Sequence, residues 1–181
     1  MMSAHAQLVS LVFLSAAILG GCANSTNQQA VFEAAKTAHK DAETFCDTML
    51  NDPDIQPIFK NTQKVVSASV PIQMLANETF VLPDEKRLVA LWSDNVNKCQ
   101  DRTLSSQQKY RHRLLIDELQ EYFVVSNTLR ADLYAGKLTW GQYNKTRSKL
   151  FVDHARAAAE IQSALIAQDD ALARQRQQAA S

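Results

Sequence analysis

Apolar residues fall along this chain in three different rhythms. From Leu8 to Leu19 they run almost unbroken, interrupted by Ser10 and Ser15. Over Asn27 to Leu50, Pro83 to Arg102, Ser105 to Ala135 and Trp140 onward they recur three and four residues apart, the spacing of one helix face. Between Asn51 and Leu82 no period lasts.

The periodic stretches predict four helices. The first, from about Asn27 to Leu50, carries Phe32, Ala35, Ala42, Cys46 and Met49 on one face, with Ser25 or Thr26 as its cap. The second opens at Pro83-Asp84-Glu85, where a missing N–H costs nothing and acidic side chains suit the positive helix end. It carries Leu88, Leu91, Trp92, Val96 and Cys99. The third begins at Ser105 or Ser106 and presents Leu115, Leu119, Tyr122, Leu129 and Leu133. Gly136 follows where a left-handed cap is needed, and Thr139-Trp140-Gly141-Gln142 reads as a capping box. The fourth runs to about Gln175 with Trp140, Tyr143, Leu150, Phe151, Ala158, Ile161 and Leu165 as its stripe. Beyond Ala167 the stripe lapses to Leu172, so 168–181 is expected to be a polar tail, helical or frayed.

The breakers agree with this layout. All four prolines (Pro53, Pro57, Pro71, Pro83) lie in one stretch, and two of the four glycines precede Cys22. Asn51–Leu82 is therefore expected to be an ordered, non-helical wrap with a short helical piece at Ile55, Ile58 and Phe59. Burial of Ile72, Met74, Leu75, Phe80, Val81 and Leu82 should pin it. The fold class expected is all-α: a bundle of about four helices over 27–167, with an irregular proline-bearing connection between the first and second.

Charge narrows the function. Lys and Arg number 19 and Asp and Glu 19, a balance without the basic surplus of a nucleic-acid binder. No catalytic constellation is legible. His39 and Glu43 share a helix face, but a zincin needs a second histidine there. His112 sits in Lys109-Tyr110-Arg111-His112-Arg113, expected to be a solvated helix face, and His154 at the edge of an apolar stripe. Ser105 and Ser106 lack a nucleophile-elbow context. No catalytic, cofactor-binding or metal-binding residue is expected, and no cofactor.

The N-terminal apolar run, 12 residues from Leu8 to Leu19, is shorter than the roughly 20 a membrane-crossing helix needs. It fits the core of a secretory signal. Leu19-Gly20-Gly21-Cys22 closes it and resembles the bacterial lipobox, although the lead carries His5 and no Lys or Arg. The resemblance implies a signal peptide over 1–21, cleavage before Cys22, a lipid on the Cys22 thiol, and a short lipidated tether over 22–26. Ala23, where an aspartate would retain the protein in the inner membrane, implies the outer membrane, facing the periplasm. In that oxidising compartment Cys46 and Cys99, each near the end of its helix on the apolar face, are expected to form a disulfide.

Leu129 to Phe151, through Leu133, Gly136, Leu138, Thr139, Gln142, Tyr143, Arg147 and Leu150, resembles the SHOCT helical hairpin, which implies partner contact or oligomerisation. The order Pro83-Asp84-Glu85-Lys86, Trp92, Cys99, Leu133 to Thr139 and Asn144 is similar to envelope lipoproteins of Gram-negative bacteria, a likeness that brings no activity with it. The expectation is a lipid-anchored, non-enzymatic protein whose partners are the membrane, through its lipid, and another envelope protein. The competing expectation is a periplasmic inhibitor or immunity-type module, with the proline-bearing wrap as its contact loop.

Overall fold

The computed structural model describes residues 25–180, so the expected signal segment over 1–21 and the expected lipid site Cys22 lie outside the described residues. Among those described there are six helices and no strand. Four are long: α1 (Ser25–Leu50), α3 (Lys86–Gln107), α4 (Arg113–Tyr134) and α5 (Trp140–Ala180). Two short ones lie inside the proline-bearing connection, a 3-10 helix over Pro53–Lys60 and α2 over Ile72–Leu75. The all-α class is as expected. The connection is ordered, as expected, and its helical piece at Ile55, Ile58 and Phe59 is the 3-10 helix, where Pro53 pre-sets the first turn and the Asp52 carboxylate accepts from the Asp54 amide at 2.9 Å; the second short helix, α2, was not expected.

Each long helix packs on its neighbour in the chain: α1 on α3, α3 on α4, α4 on α5. Pairing is antiparallel. Cys46 is bonded to Cys99 while Met49, three residues on, accepts from Asn95, four residues back. Glu118 of α4 faces His154 of α5, and the two helices meet at the Gly136 turn. The core lies at the end of the bundle where α1 finishes and α5 starts. Trp92, Leu133, Trp140 and Tyr143 are its centre, and Ile55 and Ile58 of the 3-10 helix close it from outside. Tyr143 meets Trp92 edge-on at 5.9 Å and Trp140 edge-on at 6.3 Å. Full burial of each large side chain contributes roughly 1.5–3 kcal/mol.

Local chemistry sets the helix ends. Gly136 has φ +73°, the Gly136 amide bonds to Leu133 O at 3.0 Å and the Lys137 amide to Asp132 O at 3.0 Å. That pair of bonds is the Schellman cap, which satisfies the last carbonyls of α4. The capping box forms in both directions: the Gln142 amide donates to Thr139 Oγ1 at 3.2 Å and the Thr139 amide to Gln142 Oε1 at 2.9 Å.

Several boundaries differ from expectation. Ser105 and Ser106 do not start a helix; their hydroxyls donate back to Asp101 O and Thr103 O, so both sit inside α3. The break comes later, over Gln108–His112, where His112 turns extended and its Nδ1 accepts from the Leu114 amide. The basic run Lys109–Arg113 is thus a turn and the start of α4, not a helix face. Helix α5 continues to Ala180 without interruption at Ala167, past the expected end at Gln175. Phe32, placed on the core face of α1, is 46 % exposed because α1 begins well before α3 reaches it.

The cystine joins Cα atoms 4.9 Å apart across a separation of 53 residues. Chain-entropy bookkeeping for such a loop gives about 4 kcal/mol. Replacing both Cys46 and Cys99 by Ser should lower unfolding free energy by about that amount in a urea titration. In the unfolded, unreduced parent a thiol reagent should find neither cysteine; labelling of both would refute the bond.

Candidate interaction surface

A helix begins with backbone N–H groups that have no partner within the helix. In α5 the proline-bearing wrap supplies partners for them. The Trp140 amide donates to Thr79 O at 2.9 Å and the Gly141 amide to Asn77 O at 2.6 Å. This close approach needs Gly141: a Cβ there would lie 2.6 Å from Leu75 O and 2.7 Å from Asn77 O. One turn on, the buried Asn144 side chain bonds three ways. Its Nδ2 donates to Asn61 O at 2.8 Å and Met74 O at 3.1 Å, and its Oδ1 accepts from Thr62 Oγ1 at 2.7 Å. A turn further, Arg147 donates to Gln63 O at 2.7 Å and Ser148 to Ser67 O at 3.0 Å. Arg147 also lies over the Trp92 ring, 5.9 Å from its centroid.

These polar bonds, more than apolar burial, hold the wrap. Val81 is buried, but Ile72 is 75 % exposed, Phe80 50 % and Leu82 53 %, contrary to the expected pinning by all of them. The reason is geometric: carbonyls at Asn61, Met74, Leu75, Asn77 and Thr79 face α5, which leaves several of the apolar side chains facing out. Glu85 ties the wrap's other end. Its Oε2 accepts from the Leu82 amide at 3.1 Å, its Oε1 accepts from Asn61 Nδ2 at 3.1 Å and lies 3.3 Å from Lys60 Nζ. Burial raises the Glu85 pKa, but the Leu82 bond, Lys60 and Asn61 outweigh it and hold it below the usual carboxylate value.

Other polar groups gather between α3, α4 and α5. Arg130, which the sequence reading did not single out, is 3 % exposed. It donates to Ser93 Oγ at 3.2 Å, Ser126 Oγ at 3.1 Å, Asn97 Oδ1 at 2.8 Å and Gln100 Oε1 at 3.4 Å, and also to Asn127. Burial lowers its pKa. All of these acceptors are neutral. His154 Nδ1 is set against Glu118 Oε2, and the Tyr122 ring stacks on the imidazole at 4.4 Å. His154 is therefore an interhelical residue, as its place beside the stripe implied. His39 Nε2 pairs with Glu43 3.2 Å away on the surface of α1. Among the described residues no group of three or more His, Cys, Asp or Glu is placed to hold a metal, and no helix is long and apolar enough to cross a membrane. A shallow depression beside Asp47, Asn51 and Asp52 reaches neither Arg130 nor the Glu118–His154 pair.

Of the residues expected to act, the structure brings Cys46 and Cys99 together, and Cys22 lies outside the described residues. The sequence reading placed Gly141 in a capping box and did not single out Asn144 or Ser148 as contacts; their spacing of three and four residues along one helix face is the signal, but it names no partner. Comparison with protein-family models, curated proteins and solved structures finds no match for this chain.

The wrap anchor makes two predictions. Gly141→Ala should destabilise the protein by more than about 2 kcal/mol, because the new methyl meets fixed backbone. Gly136→Ala, with nothing within 4 Å of its Cβ, should cost about 1 kcal/mol from backbone conformation alone. Thermal melts that rank them the other way would refute the anchor. For Glu85 the lowered pKa means that its stabilisation is full above the ordinary carboxylate range and is lost as pH falls through the lowered value. Glu85→Gln should therefore reduce stability at neutral pH and flatten its decline under acid; parallel pH profiles for the two proteins would count against it.

Proposed function

We propose that this chain is a lipoprotein of the bacterial envelope, tethered through Cys22 and acting by protein contact at the proline-bearing wrap, without catalysis. One observation carries the contact surface: Ile72, Phe80 and Leu82 are at least half exposed on a segment whose backbone is bonded to α5. A rigid frame that displays large apolar side chains loses little conformational freedom on binding, and an exposed apolar set gains by being covered. The tether reading is supported by the lipobox-like Leu19-Gly20-Gly21-Cys22 and by a cystine suited to an oxidising compartment.

The two features stand at opposite ends. Helix α1 begins three residues after Cys22 and its 26 residues span about 39 Å before the wrap starts. The wrap would then face away from the bilayer, toward the periplasmic space. The inhibitor-type reading fits less well, because Asn61, Thr62 and Asn77 turn inward to bond α5, Glu85 and one another.

Two experiments test this. Cys22→Ser should abolish acyl labelling and release the protein from the membrane fraction; continued labelling would end the tether reading. A photo-crosslinking residue at Ile72 or Phe80, in intact envelopes, should yield a discrete adduct that the same residue at Val124, 64 % exposed on α4, does not. Equal adducts from all three positions, or none, would remove the wrap as the contact surface.

A further inference from the structure

Two helices outrun the bundle, and they do so at the same end. Antiparallel pairing of α1 with α3, through Cys46–Cys99 and Met49–Asn95, sets Gln107, the last residue of α3, opposite Ala38 or so. The segment of α1 before Ala38 extends about 20 Å beyond that level at 1.5 Å per residue. Pairing of α4 with α5, through Glu118–His154, sets Arg113 opposite Glu160 or so. From there α5 runs on to Ala180, about 30 Å further in the same direction. With Gln107 and Arg113 level across the short turn that joins them, the tip of α5 lies roughly 10 Å beyond the first residue of α1, and the three residues from Ser25 to Cys22 can span at most about 11 Å.

The two lengths match. If Cys22 carries a lipid in the bilayer, as the proposed function holds and on which this inference rests, the bilayer surface lies within the reach of the last turns of α5. Charge along those turns is ordered to suit. Asp169 and Asp170 come first; Arg174 and Arg176 follow nearer the tip, both exposed, and no acidic side chain follows them in the described residues. Leu172, 42 % exposed, lies between the two pairs.

We propose that the far end of α5 is a second membrane contact, with Arg174 and Arg176 taking phosphates of anionic lipid headgroups on the surface where Cys22 is anchored. The chain would then stand on two feet, a lipid beneath α1 and a basic helix end beneath α5. That arrangement limits its tilt and keeps the wrap pointed away from the bilayer. Paired anchoring signals also suit the membrane, since arginines near an anionic surface add to lipid insertion.

The test uses the mature protein purified from cells and placed on phosphatidylethanolamine–phosphatidylglycerol vesicles that carry a nitroxide on some headgroups. A reporter is introduced by Gln175→Trp, beside both arginines. Trp92 and Trp140, 1 % and 0 % exposed at the opposite end, give a constant background. Expected is a loss of reporter emission on nitroxide vesicles relative to unlabelled ones, largely restored when Arg174→Gln and Arg176→Gln are added while the protein still floats with the vesicles. A lipidated, floating protein whose reporter keeps its full emission overturns the second contact and leaves the anchor standing. A blue-shifted, unquenched reporter overturns it in favour of a protein covering the tip. Quenching that survives the arginine substitutions overturns the phosphate contacts. Absence of lipid on Cys22 by mass spectrometry, with no flotation, overturns both readings.

Discussion

The first turns of α5 cannot satisfy their own amides, and the proline-bearing wrap cannot satisfy its own carbonyls. Each supplies what the other lacks. Because the Gly141 backbone comes to 2.6 Å from Asn77 O, the wrap is drawn against the helix along Gly141, Asn144 and Ser148, and its path from Asn61 to Thr79 follows. The 3-10 helix that precedes it is thereby delivered against α3, where Ile55 and Ile58 join Val89 and Trp92 in one buried cluster. An irregular segment with few apolar contacts of its own becomes the lid of the hydrophobic core through hydrogen bonds to α5, part-buried at Asn61 O and Met74 O and buried between Thr62 and Asn144. Each such buried bond, once broken, leaves a desolvated group at a cost of about 1–3 kcal/mol.

Further down the bundle the packing is polar. Arg130 is buried among serine, asparagine and glutamine oxygens, with none of its hydrogen bonds made to a carboxylate. Removing a partner from a buried charge is costly, so the α3–α4 pair is held to the one register in which Ser93, Asn97 and Gln100 converge on that guanidinium. Glu118 and His154 play the same part between α4 and α5. These groups are engaged with each other across helix interfaces, and their evident work is to align helices that pack mostly in chain order.

The molecule has two unlike ends. At one, the core, the cystine-bearing part of α1 and the wrap form a rigid head that exposes Ile72, Phe80 and Leu82. At the other, α1 and α5 project beyond their partners, with Val31 and Phe32 exposed on one and Leu172 on the other. Chain that projects without a neighbour gains no burial, and helices of that length are marginal alone in water. A surface or partner at that end gives the projections a physical reason.

Much of the fold was legible in the sequence because it rests on local spacing. Helix faces appear as three-and-four periodicity. Gly136 is readable because α4 needs a left-handed residue after its last turn, and Thr139 and Gln142 because a capping box closes within four residues. The cysteine pair could be named since both lie on apolar faces near helix ends. Tertiary structure alone decided where α3 stops, for Lys109 to Arg113 contains no breaker and yields only to the turn that lets α4 fold back. It decided that Ile72, Phe80 and Leu82 face outward, because the wrap's carbonyls were claimed by amides some sixty residues away, a demand that no local pattern records. And it decided that an arginine one position from Leu129 would lie inside, since a cage built from Ser93, Asn97, Gln100 and Ser126 exists only once the two helices have met.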